Sequence, residues 1–446
     1  MRDITALESR LDDFNPQARR EALESLAAAD VPSAPATDNL NMHFHSFFSY
    51  NADGWSPSHI SWAAHQAGLY AAGLCDFDVL DGLEEFLAAG QLLGLRSTVN
   101  LETRVYLKEY ADVDITSPGE PGVTYIMGAG FVTVPPPGTS QAAGLCAYRD
   151  AACARNVDLV NRINPHVPDI AIDYELDVLP LTPLNAATER HIIRAYVNKA
   201  AEVNGSPERT ARFWSDILGK PAADIEPILN SPDLEELVRS KLAKRGGLGY
   251  VQPSEDTFPP VDDFIQWVLS CDAIPMITWL DGTSGGEEDG RAMLECMVAK
   301  GAAALNIIPD RNWNIKDPEA RETKVRKLRE IVAIADDMNL PINIGTEMNK
   351  SGLPFVDDLG GPVLKDLRES FLRGARIMVG HTVLARFVGM SYVACDMDLP
   401  RKNAFFESVG ALPAVNDPIA EALTKLGPDM AMQRISESAA AGVWRV

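Results

Sequence analysis

The sequence predicts an α/β fold built on parallel strands, and three observations carry that prediction. Between residues 40 and 102, short apolar runs alternate with amphipathic stretches at helical spacing. The same alternation resumes near residue 271 and runs to about residue 380, with a helix-rich stretch in between. Histidines and carboxylates stand at the C-terminal ends of the predicted strands, where the loops of a parallel sheet gather.

Taken in order, Ile4, Leu7 and Leu11 form a helical stripe and a second helix follows Pro16. Pro32 and Pro35 then mark a linker, so residues 1–38 read as an N-terminal helical arm suited to oligomer contacts. Leu40–His45 is a strand. Ser56-Pro57 supplies an N-cap and a first-turn proline, and Ile60, Ala63, Ala64 and Ala67 form the buried stripe of the helix that Gly68 ends. Leu69–Leu74 is the next strand. Asp81-Gly82 opens a helix through Leu83, Phe86 and Leu87, closed by Gly90 and Gly94. Leu95–Leu101 is a third strand that delivers Glu102. His43, Asp76, Asp78 and Glu102 therefore fall at one end of the sheet.

Residues 110–140 are rich in glycine and proline and read as loop, and Ala171–Asp173 as a short element. Residues 183–270 show only helical spacing (Ile193, Tyr196, Val197 and Ala200; Leu234, Leu237, Val238 and Leu242) and form a helical insertion or cap. Strand–helix alternation returns with strand Ile274–Leu280, helix Glu288–Lys300 and strand Ala303–Ile308. A helix from Asp317-Pro318 to Met338 follows, then strand Ile342–Ile344. A helix around Leu364–Leu372 precedes a strand Arg376–Val379 that ends at Gly380-His381. The main domain thus comprises 39–182 and 271–400, with 401–446 as a C-terminal extension.

With 40 basic and 63 acidic residues, the formal charge of −23 argues against nucleic acid or an anionic membrane as partner. A small-molecule substrate remains, phosphate esters included, because a bound cation inverts the local field. The six cysteines lack zinc-ribbon or Cys-x-x-Cys spacing and several sit in apolar runs. With no secretion signal and no long apolar run, they point to a reduced, cytoplasmic protein. Gly282–Gly286 lacks the lysine and geometry of a phosphate-cradling loop, and no Gly-x-Ser-x-Gly elbow occurs.

The chemistry concentrates at His43-Phe44-His45. Alternation along a strand places both imidazoles on one face, close enough to share a divalent ion, and Asp53 follows as a nearby carboxylate. From Gly73 to Glu84, and at His43-Phe44-His45, Asp53-Gly54, Asp76-Phe77-Asp78 and Glu102, the chain resembles the polymerase and histidinol phosphatase (PHP) family of metal-dependent phosphoesterases. Further along, Glu189-Arg190-His191-Ile192 and Gly345-Thr346-Glu347-Met348-Asn349 match two later family motifs. The resemblance spans about 40–390. It implies a distorted (βα)7 TIM-like barrel with a helical insertion and two or three divalent ions. Its matched positions give His43, His45, Asp53, Glu102, His191, Glu347 and Asn349 as metal ligands.

This chain departs from that pattern at three places: Phe77 and Tyr125 stand at ligand histidines, and Asn349 offers an amide oxygen. Fewer ions are therefore expected, with one held by His43, His45, Glu102 and Glu347, and His191 serving a second. The donor set suits Mn, Fe or Zn. Asp53, Glu102 or His191 would move the proton, Arg104, Arg190 and Lys350 would bind a substrate anion, and Asp76 and Asp78 would orient ligands. His59, His65, His166 and His381 read as structural. The leading expectation is a hydrolase of a small phosphoester. An amidohydrolase-like enzyme or sugar-acid isomerase on a similar barrel, and a catalytically lapsed ligand-binding barrel, are the alternatives.

Overall fold

The computed structural model describes residues 3–29 and 31–446; positions 1, 2 and 30 of the expected N-terminal arm lie outside the described residues. The described residues of 1–46, 51–143 and 254–446 form one compact unit, and 47–50 with 144–253 form a second.

The first unit is a seven-stranded barrel. Its strands are β1 (Leu40–Phe44), β2 (Ala71–Phe77), β3 (Arg96–Tyr106), β4 (Val123–Ala129), β5 (Ile274–Trp279), β6 (Ala304–Ile307) and β7 (Ile342–Ile344), each paired with its sequence neighbour. Reciprocal bonds close the ring just beyond β7: His45 N–H donates to Glu347 O and Glu347 N–H to His43 O, both at 2.9 Å. Strands β1, β5, β6 and β7 are buried along their whole length, as strands covered on both faces must be. Helices Pro57–Gln66 and Leu83–Leu93 follow β1 and β2 as the expected crossovers, the first capped by Ser56 accepting from His59 N–H. No helix of the described residues is long and apolar enough to cross a membrane.

Two expectations are corrected here. The stretch 110–140 contains β4, which runs antiparallel to both β3 and β5, so the barrel is not wholly parallel. Its partner β5 lies far along the chain, and local composition carries no trace of that pairing. The strand expected at Arg376–Val379 is the middle of a helix, Arg368–Val388. That helix is buried nearly all round from Phe371 to Leu384, so no one-sided stripe betrays its period. Gly374 lets its backbone press on β7, since a Cβ there would stand 1.8 Å from Ile342 O. His381 within it is structural: Tyr392 N–H donates to Nδ1 at 3.0 Å, and Nε2 lies 2.9 Å from Gly130 O.

The second unit is helical. Helices Glu189–Asn204, Pro207–Leu218 and Pro232–Leu242 bury Tyr196, Trp214, Leu234, Val238 and Leu242 around a core shared with Ile163 and Ile170. Ser206 and Ser231 cap the latter two helices ahead of a first-turn proline. An ion-pair network joins helix Glu189–Asn204 to helix Pro232–Leu242: Glu189 to Arg239 at 2.6 Å, Arg190 to Glu236 at 2.6 Å and Arg194 to Glu235 at 3.0 Å.

Candidate metal centre

Four side chains from β1, the middle of β3 and the loop after β7 converge in the barrel unit. His43, His45, Glu102 and Glu347 are all buried, and each offers a ligand atom within 4.8 Å of the others. The sequence dictates each position locally. The β1–β2 register shifts between Asn41 and Phe44, and His43 N–H turns to Asn41 Oδ1 at 3.0 Å rather than to the ladder. Met42 O accepts from Asn100 Nδ2 at 3.1 Å and Asn343 Nδ2 at 3.3 Å. Two amides inside the barrel thus pin the bent end of β1 from opposite sides. The two imidazole centroids lie 5.1 Å apart with their planes tilted at 52°.

Glu102 lies in register with Phe77 on β2 and Met127 on β4. Glu347 and Met348 take left-handed backbone angles, φ 64° and 53°, which non-glycine residues adopt only when the surroundings compel it. Here the compulsion is the bridge between Phe44 and Glu347.

The spacing of the donors tests whether they fit an ion. Glu102 Oε2 lies 3.4 Å from His43 Nε2 and 3.4 Å from His45 Nε2. That is longer than a good N–H···O bond, and close to the edge of about 3.3 Å between ligands held about 2.05 Å from a tetrahedral ion. Both ring nitrogens of His43 and Glu102 Oε2 lack a hydrogen-bond partner among the described residues. Each such buried group costs about 1–3 kcal/mol unless something else satisfies it. Burial would raise the Glu102 carboxyl, but the two imidazoles outweigh it and hold it down to about 2, so Glu102 stays a carboxylate. Two imidazoles and two carboxylates suit a borderline divalent ion. The residues fit the group.

Surrounding contacts fix the ligands. Ser46 donates to Asp76 from its N–H and its hydroxyl, each at 2.7 Å, which sets the chain leaving His45. Asp78, at φ 59°, accepts from Thr103 Oγ1 at 2.5 Å. Phe77 stacks on the His45 ring at 4.3 Å and 23°, and Tyr125 lies 6.3 Å beyond it. Burial pushes the nearby Cys75 thiol up to about 12, so it stays protonated.

Of the other expected site residues, Asp53 occupies a turn tied to the cluster at both ends. Asn51 Nδ2 donates to His45 O at 2.8 Å, Asn51 Oδ1 accepts from Asp53 N–H at 2.9 Å, and Ala52 N–H donates to Met348 O at 2.9 Å. Asn349 follows the strained pair and is half-buried, and Lys350 is exposed. Neither Asp53 nor Asn349 belongs to the four-residue group. Arg104 is engaged by Glu120 at 3.1 Å and lies over the Phe258 ring.

His191 belongs to the helical unit and is likewise outside the group. Its Nδ1 accepts from Thr188 N–H at 3.1 Å, which leaves the proton on Nε2 and no lone pair there for a metal. Burial and the neighbouring Arg194 push its pKa down to about 3. Arg190 in the same unit is paired with Glu236.

Sequence reasoning missed Arg311. It stands on the short helix Asp310–Trp313 after β6, and its Nη2 donates to Glu347 Oε2 at 2.8 Å. No motif surrounds it; its position at a strand end is the only signal the sequence held.

No family model matches this sequence, and no curated protein matches it. Two solved structures are similar in chain trace. One, a metal-dependent phosphoesterase by provisional assignment from Bifidobacterium adolescentis, is 17% identical with a TM-score of 0.45, covering 76% of this chain and 98% of that one. The other, an amidohydrolase from Chromobacterium violaceum with bound sulfate and no metal, is 17% identical with a TM-score of 0.47, covering 74% of this chain and 96% of that one.

Proposed function

We propose that this chain is a metal-dependent hydrolase acting on a small phosphoester. The observation that carries the reading is the buried His43–His45–Glu102–Glu347 cluster, in which both ring nitrogens of His43 and Glu102 Oε2 lack a hydrogen-bond partner among the described residues. These four residues would hold a divalent ion of the Mn, Fe or Zn kind, which would lower the pKa of a water toward about 7 and polarise the scissile oxygen.

The chain's own residues do the rest. Asp76 fixes Ser46 and hence the approach of His45. Asn51 holds Asp53 on a turn anchored to both His45 and Met348, and we assign Asp53 the proton of the attacking water. Glu102 keeps its charge and serves as ligand; the His191 proton lies on the nitrogen opposite its backbone bond, and its low pKa leaves it no acid role. Phe77 fills the space against His45 with a ring that offers no donor, which supports a single ion rather than the two or three of the resembling family. We propose a cytoplasmic location, a reading supported by six cysteines that form no disulfide among the described residues.

The test is elemental analysis of the purified protein, followed by turnover of phosphomonoesters, phosphodiesters, amides, lactones and sugar acids. The expected result is one ion per chain and metal-dependent phosphoester hydrolysis. Turnover of amides or sugar acids alone, or absence of metal after supplementation, overturns the reading.

A further inference from the structure

The Arg311 side chain makes one hydrogen bond, to Glu347 Oε2, and its Nε and Nη1 have no partner among the described residues. Glu347 is 7% exposed and Arg311 45%, so one edge of the guanidinium is seated on a ligand and the other is open. Glu102 and Tyr125 act on its charge electrostatically, which places the group beside the cluster rather than in bulk solvent.

Its setting is unusual for this chain. The protein carries a formal charge of −23 and would repel an anionic substrate unless the mouth of the site held positive charge. A divalent ion would be neutralised by Glu102 and Glu347. Arg104 is spent on Glu120 and Arg190 on Glu236, at 3.1 Å and 2.6 Å. The edge of Arg311 turned away from Glu347, formed by the second N–H of Nη2 with a neighbouring partnerless nitrogen, is a planar pair of donors matched to an oxyanion.

Resting on the hydrolase reading, we infer that Arg311 holds the terminal phosphoryl group of a phosphomonoester through its open edge while Nη2 keeps Glu347 in place. A monoester has three non-bridging oxygens and a diester two. A site that must present oxygen to an ion and to a forked donor together favours the monoester. Arg311 therefore sets the substrate class.

The experiment uses the full-length, metal-loaded protein with Arg311→Gln and Arg311→Lys. Calorimetric titration with inorganic phosphate reads binding without turnover, and elemental analysis reads ion content. The expected result for Arg311→Gln, measured at a metal concentration that keeps the site filled despite a less firmly held Glu347, is a loss of phosphate affinity of about 10- to 100-fold, the weight of one or two charge-assisted hydrogen bonds, with ion content unchanged. Arg311→Lys should recover part of it. The preference for a monoester over its methyl diester should fall in step. Unchanged phosphate affinity in Arg311→Gln, or ion content lost together with affinity, overturns the inference. Arg311-dependent phosphate binding by a wild-type protein that hydrolyses no phosphoester supports it and overturns the hydrolase reading alone.

Discussion

Phe77 and His45 stack at 4.3 Å, and the contact shows how one residue type limits the centre. Phenyl carbon offers no lone pair, so the ring seals one side of the cluster. Phe77→His places a donor there, and the expected outcome is an ion content above one per chain by elemental analysis; an unchanged content would mean the position faces away from the cluster. Asp357 is a second case. It is 1% exposed, its Oδ1 accepts from Trp313 Nε1 at 2.7 Å, and its Oδ2 has no partner among the described residues. Burial pushes its carboxyl up to about 7 from the ordinary 3.8. The folded state therefore binds the proton more tightly than the unfolded one. Its contribution is fully present below pH 3.8 and is lost as pH rises to about 7. Asp357→Asn should remove that loss, which is on the order of 2–4 kcal/mol, from the pH dependence of denaturant unfolding.

At the scale of elements, β1 and the loop after β7 act as one unit. Gly345 lies so close to β1 that a Cβ would stand 2.4 Å from both Asn41 Oδ1 and the His43 Cβ. Gly345→Ala should cost about 1–3 kcal/mol in stability, as overpacking does. It should also weaken metal binding, because the displaced atom belongs to a ligand. Parallel unfolding and metal titrations check this, and full metal affinity in the variant would show that Gly345 serves packing alone. The same scale explains the misread elements. Crossovers with one buried face, such as Pro57–Gln66, announce their period in the sequence. Helix Arg368–Val388 and strand β4 do not, since their surroundings rather than their own patterns fix them.

For the whole molecule, a bound ion is a stabilising ligand of the folded state alone, because its donors come from β1, β3 and the loop after β7. At a free concentration 100 times Kd it adds about 2.7 kcal/mol. Removal by a chelator should lower Tm by a few degrees, and re-addition of Mn, Fe or Zn should restore it in a concentration-dependent way. A Tm indifferent to chelator and metal would argue that no ion binds there.

The amino-acid sequence by itself determined much of the alternation of strands and helices, the helical character of 183–270, and the placement of His43 and His45 at the end of β1; Glu102 lies inside β3, which runs past the expected strand end to Tyr106. These are local properties: periodicity, caps and residue type at a strand terminus. Only the tertiary structure decided that β4 runs antiparallel, that Glu347 closes the ring on Phe44, and that Arg311 reaches Glu347. Each of those depends on contacts between residues distant in the chain, set by packing and by hydrogen bonds that no local pattern encodes. The same is true of His191, whose imidazole is committed by one backbone N–H from Thr188.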